Sequence, residues 1–218
     1  MSRRAALLAE MGIAPIWKLR TKRTESAVPA AEPSPIGWIP LKAAVSGCTK
    51  CALHKTRAQT VFGVGDENAD WMLIGEAPGA EEDRLGDPFV GQAGKLLDNM
   101  LAAIGLSRRN NVYIANVLKC RPPGNRNPTP EEVAQCSPHL LQQIALIKPK
   151  LIVAMGRFAA QTLLETGASI ASLRGRVHRY AGVPLIVTYH PAYLLRTLED
   201  KAKAWEDLLF ARRTMAGL

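Results

Sequence analysis

The chain has 218 residues, of which 47% are hydrophobic, and its formal net charge is +9. This length suits one compact domain with a tail, and the apolar content is sufficient for a sizeable core. No apolar run approaches the roughly 20 residues of a transmembrane helix, so a membrane-spanning protein is excluded. The basic excess favours a polyanionic partner, above all nucleic acid, although a generally basic soluble protein would have the same charge.

The first 40 residues form a basic arm and a linker. Residues 1–24 carry six basic side chains against one acidic side chain, and residues 24–40 contain four prolines among alanine and serine. The second pattern is typical of a flexible, partly extended linker. There is no secretory hydrophobic segment, and the short apolar face argues against a transit peptide. We therefore expect a cytoplasmic protein whose folded domain spans residues 41–218.

The remaining sequence alternates short apolar segments with amphipathic ones. Strands are predicted at 71–75, 112–118, 151–155 and 185–189, and helices at 93–104, 130–147, 156–165 and 200–214. Thr129 is the expected N-cap of the second helix. The alternation predicts a three-layer α/β/α sandwich around a four-stranded parallel sheet. Sites in such folds form beyond the carboxyl ends of the strands.

Unusual residues follow three of these strands. The first strand enters a Gly-Glu-Ala-Pro-Gly turn from Gly75 to Gly79, where backbone amides can face a ligand. Asn116 lies in an apolar strand, and its amide either caps a loop or reads the Watson–Crick edge of a base. His190 follows the fourth strand and precedes two leucines, whose apolar side chains suit a wedge into a base stack.

Four cysteines predict a metal site. They are Cys48 and Cys51 in a C-x₂-C motif, then Cys120 and Cys136. In a protein without an export signal, metal ligation is a better interpretation than disulfide formation. The spacing alone does not distinguish structural zinc from a [4Fe–4S] cluster.

Taken together, these motifs resemble those of the family 4 uracil-DNA glycosylases. The matching segments are Gly75-Glu76-Ala77-Pro78-Gly79, Asp87-Pro88-Phe89-Val90-Gly91, Asn116 with Lys119-Cys120-Arg121-Pro122-Pro123, and His190-Pro191 with Leu194-Leu195-Arg196. The cysteine spacing matches too, and the resemblance covers about residues 45–210. It implies the sandwich fold, a structural [4Fe–4S] cluster on the four cysteines, and hydrolysis of the deoxyuridine N-glycosidic bond in base excision repair, leaving an abasic site without a lyase step.

The resemblance also implies roles for the base-binding residues. The flipped uracil would stack on Phe89, and Asn116 would accept from N3–H and donate to O4. His190 would donate to O2 of the departing base. The backbone of Glu76, Ala77 and Pro78 would hold the base as well.

Two positions depart from the pattern of the wider superfamily, as they generally do in family 4, and this bears on the acidic side chains. Better-known family 1 enzymes place a water-positioning Asp where this chain has Ala77, and a thymine-blocking Tyr where it has Gly79. We therefore expect Glu76 to position water and Glu82 to crowd the thymine methyl group, with Asp83 as a weaker alternative for either role.

DNA contacts are expected around the cavity. Leu194, with Leu195 beside it, would fill the gap in the base stack, and Arg196, Arg121 and Arg126 would contact phosphates. Many superfamily members have Ser at the position of Ala192, so one phosphate contact is expected to be missing. The loop 124–128 contains no His, so covalent trapping of the sugar is not expected.

Two other functions would suit parts of the sequence. A non-catalytic, metal-stabilised nucleic-acid-binding module would explain the charge, but it would not need a closed base pocket. A relative acting on hypoxanthine or xanthine would lack the Asn116 reader. We expect a monomer that binds uracil-containing DNA and associates with the nucleoid.

Overall fold

The computed structural model describes residues 36–218, so the arm and most of the linker lie outside the described part. Eight α-helices occur in this part: α1 Trp38–Ser46, α2 Ala80–Leu85, α3 Gln92–Ala103, α4 Pro130–Ile147, α5 Arg157–Leu163, α6 Ile170–Leu173, α7 Pro191–Leu194 and α8 Asp200–Ala216. The strands are β1 Val64–Gly65, β2 Trp71–Gly75, β3 Val112–Asn116, β4 Leu151–Met155, β5 His178–Tyr180 and β6 Val183–Thr188. Short 3₁₀ turns occupy Ala52–Lys55 and Pro123–Asn125.

The sheet has six strands in the order β1-β3-β2-β4-β6-β5. The four inner strands pair in parallel, whereas β1 and β5 pair antiparallel at the two edges. The prediction of four strands was therefore incomplete. Both missing strands are only two or three residues long and only partly buried, so neither produces the apolar run that identifies the inner strands.

Helices cover both faces of the sheet, so every residue of β2, β3 and β4 is buried. On one face, Leu140 of α4, Ala159 of α5 and Leu173 of α6 join the core. On the other face, Leu97 of α3 and Ala211 of α8 do so. Continuous apolar strands between two helical layers are what a parallel sheet requires. No helix within residues 36–218 combines the length and apolar character that crossing a bilayer requires.

The boundaries of several elements differ from the prediction. Helix α1 begins at Trp38, inside the stretch predicted to be linker, and its indole packs against Phe62 at 6.1 Å and Tyr113 at 5.7 Å between ring centroids. Thr129 is the N-cap of α4, as predicted, and it forms a capping box with Glu132.

The parallel pairing places the sequence motifs at one edge of the sheet. Gly75 at the end of β2 pairs with Asn116 at the end of β3, and Thr188 at the end of β6 pairs with Met155 of β4. His190 follows Thr188 by two residues and caps α7. The glycine-rich turn, Asn116 and His190 therefore meet beyond the carboxyl ends of the strands.

Candidate functional site

A cavity of about 430 Å³ opens at this edge of the sheet. Its lining contains nine of the residues expected to act on the base or to contact DNA: Glu76, Ala77, Pro78, Glu82, Phe89, Asn116, Arg126, His190 and Arg196. Three other predicted residues, Arg121, Leu194 and Leu195, are not in the lining. The volume is sufficient for a small planar ligand with water.

Asn116 presents an unused acceptor to this cavity. Its side chain is 3% exposed, and Oδ1 has no hydrogen-bond partner within residues 36–218. A buried amide oxygen left unpaired is costly, so such a group indicates a ligand that pairs with it. A Cβ atom at Gly75 would overlap Asn116 Oδ1 and come within 2.8 Å of Phe89 Cζ, so glycine leaves room for both side chains.

His190 is held in one orientation and one charge state. The backbone N–H of Ala192 donates to His190 Nδ1 at 3.1 Å. Burial and, to a smaller extent, nearby Arg196 lower the pKa of His190 to about 4, although Glu82 partly opposes them. The ring is therefore neutral at physiological pH. Because Nδ1 accepts, the ring proton is on Nε2.

Phe89 stands beside the imidazole in a constrained loop. The two ring centroids are 5.4 Å apart with an interplanar angle of 29°. Phe89 has a left-handed backbone, with φ of 56°, which a bulky residue rarely adopts. Glu82 Oε1 accepts from the amides of Val90 and Gly91 at 3.1 and 3.3 Å, and Arg108 donates to the Phe89 carbonyl at 2.9 Å. These bonds fix the ring where a base could stack.

The two acidic candidates beside Glu82 have different surroundings. Glu76 lies in the cavity lining, and burial raises the pKa of its carboxyl, with Arg157 opposing that shift. Asp83 is buried outside the lining, and its carboxylate accepts from the Ala58 amide at 3.0 and 3.1 Å. Asp83 was therefore a wrong alternative, because its oxygens are engaged in holding a neighbouring loop.

A second, smaller cavity is lined by all four cysteines, Cys48, Cys51, Cys120 and Cys136. Arg57 donates to Cys120 Sγ at 3.1 Å, and the Lys119 amide contacts Cys136 Sγ at 3.3 Å. Burial raises the pKa of both sulfhydryls, that of Cys136 to about 11. Within the described residues, no three His, Cys, Asp or Glu side chains form a group that could hold a single metal ion. The cysteines are free and surround a common space.

Comparison with known proteins agrees with this geometry. A family model described as the uracil DNA glycosylase superfamily matches residues 62–209. A type-4 uracil-DNA glycosylase of Archaeoglobus fulgidus is 50% identical over 159 residues, covering 69% of this chain and 79% of that protein. The type-4 enzyme of Thermotoga maritima is 45% identical over 161 residues, covering 73% and 83%. The chain belongs to the type-4 branch of the uracil DNA glycosylase superfamily. A type-5 enzyme of Pyrobaculum aerophilum is less similar, at 37% over 146 residues, covering 60% and 64%.

The arginines of this superfamily member lie in different settings. Arg196 is exposed at the cavity rim. Arg126 also lines the cavity, but both of its terminal nitrogens donate to Glu132, at 2.9 and 2.5 Å. Arg121 is not in the lining itself, but it donates at 2.7 Å to Asn125, which is. Arg126 is thus a cation held in place by a carboxylate that also caps α4.

The two leucines differ in exposure, which corrects one prediction. Leu194 is 1% exposed and packs with Tyr189 and Ala204 in the core, so its placement on an exposed loop tip was wrong. Leu195 is 42% exposed. Helix α7 turns consecutive residues to different sides, and a leucine pair in sequence does not reveal which one faces inward.

Lys119 is a residue whose importance the sequence interpretation missed. It is 1% exposed, and its Nζ donates to the Asn116 carbonyl at 2.9 Å and to Gln143 Oε1 at 2.6 Å. Burial lowers the pKa of its ammonium to about 8, against the influence of Cys136 and Cys120. The available signal was a lysine directly after the apolar pair Val117 and Leu118, both of which are buried. Lysine is almost never fully buried without a partner, so a lysine that continues a buried segment indicates a specific contact.

Proposed function

We propose that this protein excises uracil from DNA by hydrolysing the N-glycosidic bond, leaving an abasic site in base excision repair. The observation that carries the proposal is the unpaired, buried Oδ1 of Asn116 in a cavity that Phe89 and His190 also line. The relatives described as type-4 uracil-DNA glycosylases support the same activity.

Uracil would be recognised by complementary hydrogen bonds. Asn116 Oδ1 would accept from uracil N3–H and its amide nitrogen would donate to O4, while the base stacks on Phe89. Cytosine presents the opposite donor and acceptor pattern at these two positions. Its binding would leave buried groups unpaired, a loss that is worth on the order of 10⁴ in selectivity.

His190 would stabilise the leaving base. Bond cleavage puts negative charge on uracil and positive charge on the sugar. The Nε2–H of the neutral His190 ring would donate to O2 as this charge develops, because Nδ1 is already engaged by the Ala192 amide. One such preorganised donor is typically worth about 10²- to 10³-fold in rate.

Two carboxylates would complete the cavity. Glu76 would position the water that attacks the sugar, since it lies in the lining and no other role is evident for its carboxyl. Glu82 would crowd the C5 methyl group of thymine while its Oε1 holds the amides of Val90 and Gly91. The backbone of Ala77 and Pro78 would contribute further contacts to the base.

The cysteine cavity would hold a [4Fe–4S] cluster. Four cysteine sulfurs around one space, with donors from Arg57 and Lys119 directed at two of them, fit the thiolate ligands and the net negative charge of such a group. The cluster would supply a structural link rather than reaction chemistry. Its ligands would join the segment that carries Cys48 and Cys51 to helix α4 through Cys136.

The DNA would pass over the cavity mouth. Arg196 and Arg126 would contact phosphates there, with Arg121 farther from the cavity, and Leu195 would enter the gap left by the flipped base. The basic arm, which lies outside the described residues, would add salt-dependent affinity for DNA. We further propose that the protein acts as a monomer in the cytoplasm, associated with the nucleoid.

The deciding experiment uses purified, full-length protein and oligonucleotides with one uracil, as single strands and as duplexes, followed by alkali to reveal abasic sites. We expect cleavage at the uracil only. The variants Asn116→Ala and His190→Ala should each lose activity by about 10²-fold or more while remaining folded. Retained binding to DNA without any alkali-labile product would instead support a non-catalytic binding module.

A further inference from the structure

Lys119 joins the cysteine cavity to the base-binding cavity. Lys119 lines the cysteine cavity, and its backbone amide contacts Cys136 Sγ. Its ammonium donates to the main-chain carbonyl of Asn116, the residue whose side chain faces the base. Lys119 therefore contacts both the cysteine cavity and the residue whose side chain faces the base.

The environment of this ammonium lacks an obvious countercharge. Both of its acceptors, the Asn116 carbonyl and Gln143 Oε1, are neutral. No carboxylate within residues 36–218 forms an ion pair with Lys119. An isolated buried ammonium is strongly unfavourable, so a negative charge is needed nearby. Cys120 and Cys136 line the same cavity as Lys119, and as thiolate ligands of a bound cluster they would supply this charge.

The acceptors of Lys119 are themselves fixed. Gln143 lies in α4, is fully buried, and donates through Nε2 to the Phe62 carbonyl at 2.9 Å and to the Tyr113 hydroxyl at 3.3 Å. The Asn116 carbonyl is at the last residue of β3. Lys119 thus ties the end of β3 to a buried network on α4, one residue before a cysteine ligand and three residues after the base reader.

We infer that Lys119 is a positioning residue whose buried ammonium, balanced by the thiolate-bound group, holds the Asn116 carbonyl and so fixes the amide that recognises uracil. The inference rests on the proposed function. According to this inference, the cysteine site influences base recognition through the positive charge of Lys119.

The test compares Lys119→Met with Lys150→Met. Lys150 is exposed, pairs with Asp70 and directly precedes β4, so it lies at the end of the strands opposite the cavity. Both are assayed as cluster-containing protein for kcat and KM on a single-uracil oligonucleotide. Lys119→Met should lower kcat/KM by about 10- to 100-fold, the effect of losing a hydrogen bond to a charged group, with a raised KM. Lys150→Met should match the unmodified protein.

A double-mutant cycle asks whether Lys119 acts through Asn116. In the Asn116→Ala background, Lys119→Met should change kcat/KM by less than about twofold, because the side chain that Lys119 positions is already absent. A full additional loss would show that Lys119 acts elsewhere, and the inference would be overturned. The unmodified protein is assayed in parallel, so its failure to release uracil would refute the proposed function separately.

The cluster gives an independent readout. Removing a positive charge beside it disfavours the reduced, more negative state, so the midpoint potential of Lys119→Met should shift to a more negative value. An unchanged potential together with unchanged KM would overturn the inference. If Lys119→Met does not fold, Lys119→Gln and Gln143→Met alter the same hydrogen bonds and are assayed instead. Wild-type kinetics and a wild-type midpoint potential in both variants would overturn the inference.

Discussion

The backbone amide of Ala192 donates to Nδ1 of His190 at 3.1 Å, which places the proton of the neutral imidazole on Nε2. Residue 192 thus contributes to the cavity through its main chain, whatever its side chain. Helix α7 begins at Pro191, directly after His190, so the same turn that starts the helix also orients the ring.

The charge state of His190 can be measured directly. With its pKa lowered to about 4, the ring should show no titration near the ordinary value of 6.5. NMR of isotope-labelled histidine, with the His190→Gln spectrum for assignment, should show the Nε2–H tautomer throughout the neutral range. Since the folded pKa lies below the unfolded one, the contribution of His190 to the free energy of unfolding is lost as pH falls from 6.5 towards 4. A ring that titrates near 6.5 would contradict this assignment.

Glu76 should determine the acidic limb of the pH–rate profile. Burial raises the pKa of Glu76 above 4.5, and only the carboxylate can orient water, so activity should fall as pH drops through this raised value. Glu76→Gln should lower kcat by about 10²-fold and abolish that limb. Glu81→Gln is the control, because Glu81 is exposed and paired with Arg84. If Glu76→Gln retains the wild-type pH profile, Glu76 does not position the attacking water.

Asn116→Asp should change which base is accepted. A carboxylate accepts hydrogen bonds but does not donate to uracil O4, whereas it can accept from the amino group of cytosine. We expect uracil excision to fall by about 10²-fold or more and the ratio of cytosine to uracil excision to rise. Both products are measured on matched oligonucleotides. Equal losses for both bases would mean that Asn116 does not discriminate between them.

The leucine pair permits a test with an internal control. Leu195→Ala should reduce excision from duplex DNA by roughly 10-fold or more and leave single-stranded DNA nearly unaffected, because only the duplex needs its gap filled. Leu194→Ala should instead lower the free energy of unfolding by about 2–5 kcal/mol, since its side chain is buried. Its effect on the two DNA forms should be equal. The reverse pattern would restore Leu194 as the wedge.

The cysteine site should contribute to stability rather than to chemistry. Cys136→Ser should lose iron and labile sulfide and lower the melting temperature, because the link between α4 and the segment containing Cys48 is broken. Asn116→Ala should retain both iron and melting temperature while losing activity. A colourless, zinc-containing wild-type protein would refute the cluster, and an iron-free Cys136→Ser protein with full stability would refute its structural role.

Sequence patterns predicted the inner sheet and most of the cavity, for an identifiable reason. Strands β2, β3 and β4 are buried on both faces and read as apolar runs, and parallel pairing then brings Asn116 and His190 to one edge. The short edge strands have no such pattern. The outward direction of Leu195 depends on how α7 packs, and the burial of Lys119 depends on Gln143, 24 residues along the chain.

Gly75 has a consequence for attempts to redesign this enzyme. Any side chain there would intrude on Asn116 Oδ1 and the Phe89 ring, so the end of β2 offers no position from which to alter the preferred base. New selectivity must instead be introduced through residues that already carry side chains into the cavity, such as Glu82. A library of variants designed to change the preferred base should therefore keep Gly75 unchanged.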